Sequence, residues 1–583
     1  MAQTTRFRSA GLPAGALALL ACGALANADQ ALPLRDRPAS DEIIYFLLPD
    51  RFENGDRSND RGGLSGDRLH TGFDPTSKGF FHGGDLKGLT ARLDYIQALG
   101  ATAIWLGPIY QNNPVQGARG DESAGYHGYW ITDFTAVDSH FGTAADLQTL
   151  VAAAHARGMK LYLDIIVNHT ADVIRYRECP DNQCPYRSRA DYPERADGYA
   201  YTPYVPPGEA HRKVPEWLNE LRYYHNRGNS TFEGESSTLG DFSGLDDVAT
   251  EDPRVVQGFI DIFSGWIDNF GIDGFRIDTA KHVNPEFWQV FVPAIRAHAA
   301  ARGIRNFHIF GEVATSEMDP ALLAEHTRVD KLPAVLDFAF AAAVRDTVAG
   351  RAGTDQLARL FAADSLYEGG VTAALQLPTF ISNHDGGRFA RQVQLARPKA
   401  SAAEVLKRVQ LAHAMLLTLR GVPTVYSGDE QGFVGWGDDQ ASRQDMFASQ
   451  VASYNKQPLL GTSSTTAVSN FNRTHPLYQS IAALARLRTE LPALRHGLQG
   501  VRAASKSPGL FAVSRFDSET GTEVLLAFNT STASIDTQVV VDSKSGSFTA
   551  RHGNCAPAPA APGSYHIKVA ALDYLVCVSG ARP

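Results

Sequence analysis

The sequence predicts an α/β barrel that carries an inserted domain and is followed by an antiparallel β-sandwich. Three observations support this fold class. Eight short apolar segments alternate with helix-like segments between residues 41 and 490, and such alternation predicts parallel strands closed into a barrel. Residues 170–245, rich in Gly, Pro, Tyr and Arg, interrupt the third strand–helix unit. After residue 490 the chain becomes a series of short β-rich segments separated by turn residues.

Residues 1–28 are predicted to be a secretory signal peptide. Arg6 and Arg8 precede the apolar stretch Leu12–Leu25, and Ala26-Asn27-Ala28 forms a small-x-small cleavage site. We therefore expect a secreted or periplasmic protein. Because Leu19-Leu20-Ala21-Cys22 is a partial lipobox, anchoring by lipid at Cys22 is the alternative, and we expect no other contact with a membrane.

The composition sets broad limits on function. The chain has 583 residues, of which 44% are hydrophobic and 20% charged, as in ordinary globular proteins. The net charge of −9 without a long run of one sign argues against nucleic acid as a partner. A neutral polar substrate, such as a sugar, is compatible with this charge.

Four cysteines follow the signal peptide, and in an exported protein they predict disulfides. The favoured pairs are Cys179–Cys184 and Cys555–Cys577, although three connectivities are possible. A zinc site is the competing interpretation, but the pairs lie far apart and no histidine pattern completes a ligand set.

The barrel is expected to span residues 41–169 and 246–490, the inserted B domain 170–245 and the C-terminal domain 491–583. The predicted barrel strands are Ile43–Leu48, Thr102–Leu106, Lys160–Val167, Ile272–Asp278, Phe307–Gly311, Leu332–Phe338, Leu375–Ile381 and Val422–Tyr426. Helix patterns between them include Leu89–Leu99, Ala144–Arg157, Val255–Phe270, Pro285–Ala301 and Ala402–Leu419. The predicted C-terminal strands are Leu510–Phe516, Glu523–Asn529, Thr537–Val541, Ser564–Val569 and Leu572–Val578.

Three carboxylates lie at or just after the ends of predicted barrel strands: Asp278, Glu312 and Asp385. Acidic side chains at the carboxyl ends of several strands are where an α/β barrel builds an active site. A pair of carboxylates flanking a sugar linkage is the equipment for glycoside hydrolysis. Each acid alone could equally form a structural ion pair, so their joint occurrence carries the prediction.

The order of four motifs supports the same conclusion. Leu163–His169, Gly274–His282, Gly311–Val313 and Asn383–Asp385 together resemble the motif set of the α-amylase superfamily, glycoside hydrolase family 13. The resemblance implies a nucleophile at Asp278, an acid/base at Glu312 and a transition-state stabiliser at Asp385. It also implies that three further residues orient the acids or bind sugar hydroxyls: Arg276, His169 and His384.

Two segments are expected to contact the sugar chain. Tyr126–Trp130 resembles the family's stacking motif, which makes Tyr129 the platform for the cleaved sugar and places His127 nearby. Aromatic clusters are more often core, so this interpretation depends on the other motifs. Lys281 and His282 resemble the pattern of α-amylases and glucanotransferases.

Calcium is the expected cofactor. Loops rich in oxygen ligands suit this ion, and two loops resemble a family calcium site with the candidate ligands Asn54, Asp56, Asn59, Asp60, the Gly83 carbonyl and Asp85. A polar turn cluster is the alternative. A second family site would use Asn168 and the His282 carbonyl. There Gly244 replaces the family's Asp, so the site is absent unless a nearby carboxylate substitutes: Asp241, Asp246 or Asp247.

The predicted function is a secreted, monomeric, retaining hydrolase that cleaves α-1,4 bonds within starch-type glucans and maltooligosaccharides. The alternatives within this class are a cyclomaltodextrinase or neopullulanase-like hydrolase and a 4-α-glucanotransferase. A non-catalytic glycan-binding protein is disfavoured, because a decayed relative would have lost some of the three acids.

Overall fold

A parallel sheet that closes on itself forms the centre of the structure, a computed structural model. Its strands are β1 (Ile44–Leu47), β2 (Ala103–Leu106), β3 (Lys160–Ile165), β4 (Gly274–Ile277), β5 (His308–Gly311), β6 (Pro378–Thr379) and β7 (Val422–Tyr426). They are hydrogen-bonded in the order β5-β4-β3-β2-β1-β7-β6. Isolated parallel bridges join Gly311 to Val335 and Asp337 to Thr379. These bridges supply the eighth position between β5 and β6, and the predicted barrel is confirmed.

The structure describes residues 32–179, 184–192, 198–349, 352–435 and 437–580. The predicted signal peptide and Cys22 lie outside these residues. Within the described part of the chain, no helix is both long enough and apolar enough to span a membrane.

Helices surround the barrel and connect its strands. Helix Pro253–Phe270 shows how local residues set helix ends. The Asp252 side chain accepts a hydrogen bond from the Arg254 amide at its start, and Gly271, with its backbone in the left-handed region, ends it. The other helices are Arg68–Thr71, Leu86–Ala91, Leu93–Leu99, Ala144–Ala156, Ser236–Leu239, Pro285–Ala301, Pro320–Arg328, Phe338–Val348, Asp355–Ala362, Gly370–Ala374, Phe389–Ala396, Ala402–Thr418, Asp439–Ser442, Ala452–Asn455, Pro476–Glu490 and Ala493–His496.

The insertion after β3 contains little regular structure. It begins and ends in one antiparallel pair, in which His169–Thr170 faces Asp246–Asp247. A second pair joins Arg175–Tyr176 to Pro203–Tyr204, and the predicted Cys179–Cys184 disulfide is present. Two short pairs near the cleft, Tyr110–Asn112 with Ile131–Val137 and Val115–Gln116 with Ser123–Ala124, belong to the loop after β2.

The C-terminal part consists of two antiparallel sheets that share an apolar core. The five-stranded sheet contains Leu498–Ala504, Leu510–Phe516, Glu523–Asn529, Tyr574–Ser579 and Phe548–His552. The second sheet pairs Ile535–Val540 with Ser564–Val569. The predicted Cys555–Cys577 disulfide is also present.

The sixth and seventh predicted strands are much shorter than expected. Pro333 and Pro378 lack the amide hydrogen that a central strand needs. Helix Phe338–Val348 begins directly after the bridge at Asp337, whose side chain caps the helix by accepting a hydrogen bond from the Phe340 amide. The chain therefore turns from strand to helix within a few residues at the position where the predicted strand Leu332–Phe338 ends.

Candidate active site

The three predicted acids meet in one cleft at the carboxyl end of the barrel. Asp278 directly follows β4, Glu312 directly follows β5, and Asp385 lies in the loop after β6. All three line a cavity of about 1010 Å³ that extends to the insertion and to the loop after β2. The barrel thus brings together side chains that are up to 107 residues apart in sequence.

One guanidinium group holds two of these acids. Arg276 is buried on β4, and its Nη1 donates to Asp278 Oδ1 at 2.9 Å while its Nη2 lies 2.9 Å from Glu312 Oε2. The same Nη1 donates to Asp164 Oδ1 on β3 at 2.7 Å. Glu312 Oε2 also accepts a hydrogen bond from the Thr279 amide at 3.0 Å. Arg276 therefore fixes the positions of both carboxyl groups.

Burial and neighbouring charges shift the pKa values of the three acids in different directions. Removal from water raises the pKa of Glu312 to about 7, although the charge of Arg276 opposes the shift. Burial also raises the pKa of Asp278, against Arg276 and a hydrogen bond from Thr279. For Asp385, desolvation is outweighed by the guanidinium of Arg443, which donates a hydrogen bond to the carboxylate and holds its pKa below the usual range. The site therefore offers Glu312 as a proton carrier and Asp385 as a permanent anion near neutral pH.

Arg443 positions Asp385, and sequence reasoning missed it. Its Nη2 donates to Asp385 Oδ1 at 2.8 Å, and its Nε donates to the His384 carbonyl at 3.1 Å. Nη2 also lies 2.7 Å from Asp439 Oδ2. No local signal in the sequence connects Arg443 to Asp385, because 58 residues separate them and only the fold brings them together.

Asp164 is the second missed residue, although it lies inside a motif that was recognised. It is fully buried on β3, pairs in register with Arg276, and accepts hydrogen bonds from Trp105 Nε1 at 3.1 Å and Tyr129 Oη at 3.2 Å. Burial raises its pKa to about 7. The signal that could have found it is the parallel register, which sets an acid beside the buried Arg276.

The predicted sugar-binding residues surround the acids in two layers. Tyr129, His169, Lys281 and His282 line the cleft. His127 and His384 pack beneath Tyr129: the Tyr129 ring stacks on both, at centroid distances of 5.6 Å, and Tyr129 Oη lies 2.8 Å from His384 Nε2. Burial lowers the pKa of His384 to about 3, which keeps this ring neutral.

The Asn54–Asp60 loop meets the Gly83–Asp85 turn, as the calcium hypothesis requires. Asn54 Nδ2 donates to Asp60 Oδ1 at 2.8 Å, and a Cβ atom on Gly83 would lie 2.6 Å from the same oxygen. Burial raises the pKa of Asp60. Among the described residues, two buried amide oxygens of this loop have no hydrogen-bond partner: Asn54 Oδ1 and Asn59 Oδ1.

These loops fit an oxygen-liganded cation, with two corrections to the expected ligand set. Asp56 is paired with Lys87 at 2.6 Å, so it has the cationic partner that the sequence did not suggest. Asp85 accepts hydrogen bonds from three backbone amides, those of Gly55, Asp56 and Gly88. Within the described residues, no three His, Cys, Asp or Glu side chains converge on a metal position. A cation here would therefore depend on amide and carbonyl oxygens together with the Asp60 carboxylate.

At the second candidate calcium site, protein groups occupy the positions where a metal would be expected to bind the carboxylates. All three carboxylates that could replace the missing aspartate are engaged: Asp241 accepts from Tyr176 Oη at 2.7 Å, Asp246 pairs with Lys213 Nζ at 2.5 Å, and Asp247 lies 2.5 Å from His225 Nδ1. Gly244 supplies no side chain. At His282, Nδ1 faces the Ser237 carbonyl at 2.8 Å. The expectation of a metal at Asn168 and His282 therefore finds, among these three carboxylates, none without a protein partner.

A barrel with acids after β4, β5 and β6, two of them on a shared arginine, defines the class of barrel glycosidases. The model of the alpha-amylase catalytic domain matches residues 46–497. The chain belongs to the α-amylase family.

Relatives with similar sequences agree with this assignment. The chain is 46% identical to an alpha-amylase of Streptomyces lividans over 84% of its own length and 55% of the relative's. It is 30% identical to a cyclomaltodextrin glucanotransferase of Niallia circulans, over 76% of the chain and 57% of that protein. Among solved structures, an Anoxybacillus alpha-amylase shows 27% identity and a TM-score of 0.70, with 94% of this chain and 100% of that one covered. The chain thus spans about half the length of these two sequence relatives.

Proposed function

We propose that this protein is a retaining hydrolase that cleaves α-1,4-glucosidic bonds inside starch-type glucans and maltooligosaccharides. The observation that carries the proposal is the placement of Asp278 and Glu312 on the single guanidinium of Arg276, with Asp385 across the same cleft. Retention needs two carboxyl groups close together on one glycosidic bond. The α-amylase relatives and the sugar-sized aromatic platform at Tyr129 support the substrate class.

Each acid has one role in the proposed chemistry. Asp278 attacks the anomeric carbon as the carboxylate, the form that Arg276 and the Thr279 hydroxyl stabilise against burial, while the Glu312 carboxyl gives its proton to the departing oxygen. The covalent intermediate on Asp278 is then attacked by water, whose proton Glu312 accepts. Asp385 remains an anion throughout and stabilises positive charge on the distorted sugar. Arg276 and Arg443 position these acids.

Substitution of the two reacting acids tests the roles. Asp278→Asn is expected to reduce kcat on soluble starch by more than about 10³-fold with folding intact, because the nucleophile is lost. Glu312→Gln is expected to lose about 10²- to 10⁴-fold on natural bonds and far less on maltosides with activated leaving groups, which need no protonation. Equal losses of Glu312→Gln on both substrate types would contradict its acid role. Early product of the α-anomer, seen by proton NMR, is the matching test of retention.

The pH dependence supplies a second test. Because burial raises the pKa of Glu312 to about 7, the protonated acid is lost as pH rises through that value. We expect kcat/KM, which reports the free enzyme, to fall above about pH 7. Glu312→Gln should lose this alkaline limb, and an unchanged limb in that variant would assign it to another group, such as Asp164.

We also propose that calcium binds the Asn54–Asp60 loop, through Asn54, Asn59, Asp60 and the Gly83 carbonyl, with Asp56 and Asp85 at its rim. The ion would supply positive charge that offsets the desolvated carboxylate of Asp60. Export fits the two disulfides. We propose that the enzyme acts outside the cytoplasm as a monomer.

A further inference from the structure

A second recess opens from the active-site cleft behind Glu312. Its volume is about 440 Å³, and it shares Glu312, Ala314 and Asp385 with the main cleft. Helix Phe338–Val348 forms one wall, and the segment from Phe380 to Gln392 forms the other. The motif Asn383–Asp385 lies within the second wall, but the other residues of the two walls belong to no sequence motif, and the mechanism above uses only Glu312 and Asp385 of the lining.

The recess lies on the leaving-group side of the bond to be cleaved. It contacts the acid/base Glu312, whereas the nucleophile Asp278 lines only the main cleft. In a double displacement the nucleophile attacks one face of the anomeric carbon, and the departing oxygen stands at the acid on the other side. A group in the recess would therefore be attached to the first sugar beyond the cleaved bond.

The main cleft already provides a path for the chain on that side. Lys281 and His282 line it, and Lys281 Nζ donates to the Ala314 carbonyl at 2.7 Å, at the point where cleft and recess meet. A linear glucan has one continuation beyond its first leaving-side sugar, so it can occupy only one of the two openings. A glucan that is branched at that sugar has two continuations and can occupy both openings.

We propose that the recess receives an α-1,6-linked glucosyl branch on the first leaving-side sugar, so that the enzyme cleaves α-1,4 bonds directly beside branch points. The proposal rests on the proposed α-1,4-hydrolase function and adds the class of substrate, branched α-glucan.

The lining suits one sugar ring. Phe338 and Phe380 meet edge to face at 4.9 Å and offer apolar surface, to which Ala341 adds a small apolar side chain. Polar groups complete the wall: the Arg345 guanidinium, held by the Ser316 carbonyl at 3.1 Å, and the Gln392 amide, which donates to the Gly386 carbonyl at 3.2 Å. Apolar surface with a few fixed polar groups, in a volume within the usual range of about 300–1,000 Å³, is typical of small-ligand sites.

The test compares linear maltohexaose with maltohexaose that carries one α-1,6-linked glucose on an interior sugar. We expect the wild type to release products whose non-reducing terminal glucose bears the branch, because such products form only when the branched sugar occupies the first leaving-side position. Mass spectrometry with methylation analysis identifies them, because a terminal glucose that carries the branch is substituted at O6 alone, whereas an interior branched glucose is substituted at both O4 and O6. If the linear probe is cleaved and no such product forms, this inference fails alone. If neither probe is cleaved, the proposed function fails.

Two substitutions narrow the recess from opposite walls: Ala341→Trp and Gln392→Trp. Each is expected to reduce kcat/KM for that branch-adjacent cleavage at least tenfold, while cleavage of the linear probe changes less than twofold. The matched control is Ala321→Trp, on a surface groove lined by Ala324 and Arg328 and not by any active-site residue. Melting temperatures identify any variant that misfolds. If either folded recess variant retains branch-adjacent cleavage at the wild-type rate, the recess does not hold the branch.

Discussion

Both candidate calcium sites of this molecule contain buried oxygen atoms that need a positively polarised partner, and the two sites differ in whether the protein supplies it. At the Asn54–Asp60 loop, two buried amide oxygens lack a partner and burial raises the pKa of Asp60. At the junction between the insertion and the barrel, every carboxylate near the expected site has a donor from the protein. The loop therefore has oxygen atoms that are free to bind a cation, whereas the carboxylates at the junction already have protein partners.

The difference identifies the protein group that takes the place of a metal ion at the junction. Lys213 is only 2% exposed, its ammonium lies 2.5 Å from Asp246, and it stands over the Tyr224 ring at 3.9 Å. Asp246 Oδ2 and Oδ1 also accept the Val173 and Ile174 amides. A buried charge is tolerated when it is paired and hydrogen-bonded. The junction meets that condition with a lysine, so we expect its structure to be stable without calcium.

The largest expected effect is at this lysine. Lys213→Met leaves the Asp246 carboxylate buried without its counter-charge, and breaking such a pair costs about 3–5 kcal/mol. Chemical denaturation measures the loss. The double variant Lys213→Met with Asp246→Leu is expected to recover part of it, because both charges are then removed. The control Lys78→Met breaks an exposed pair with Asp438 and should change stability little. If the double variant loses as much free energy of unfolding as the single variant, packing rather than charge determines the stability here.

Calcium provides the next largest effect, and it should act only at the loop. An ion that binds the native state stabilises it by about 2.7 kcal/mol at a hundredfold excess over Kd. We therefore expect calcium to raise the melting temperature and a chelator to lower it. Asn59→Ala removes one unpartnered oxygen and should abolish most of this shift, whereas Asn306→Ala, on an exposed loop, should keep it.

The same melting experiment can show that the ion binds at the junction instead of the loop. If Asn59→Ala retains the full calcium response and Asn168→Ala loses it, the ion binds at the junction and the loop is only a polar turn. Equal melting temperatures of the wild type in calcium and in chelator would remove the ion from both places.

The sequence predicted the barrel and its three acids because both depend on local patterns. Apolar runs mark the strands, and a strand end fixes where the next side chain points. Arg443 could not be found this way, since its contact with Asp385 depends on the tertiary path of the loop after β7. Lys213 was missed for the same reason: its partner lies 33 residues away, in the segment that returns to the barrel.

Two C-terminal strands were also missed, for a different physical reason. Leu498–Ala504 and Phe548–His552 lie at the two edges of the five-stranded sheet, and most of their side chains face solvent at least in part. An edge strand needs no continuous apolar run, so a search for such runs finds only the central strands. The predicted central strands Leu510–Phe516 and Glu523–Asn529 have the same bounds in the structure.

The smallest expected effect concerns the pH dependence of the junction. Burial alone would lower the pKa of His225, but Asp247 and Glu251 outweigh it and raise the pKa to about 9. Arg227 and Asp241 also interact with Asp247 of this cluster. A raised pKa means that the stabilisation is complete below the unfolded value near 6.5 and is lost as pH rises through about 9. Stability measured from pH 6 to 10 should therefore fall more steeply in the wild type than in His225→Gln. His298→Gln, at the Asp268 pair on the outer helices, should keep the wild-type slope. If His225→Gln also keeps that slope, the imidazole is not charged in the folded protein, and Lys213 alone neutralises the junction.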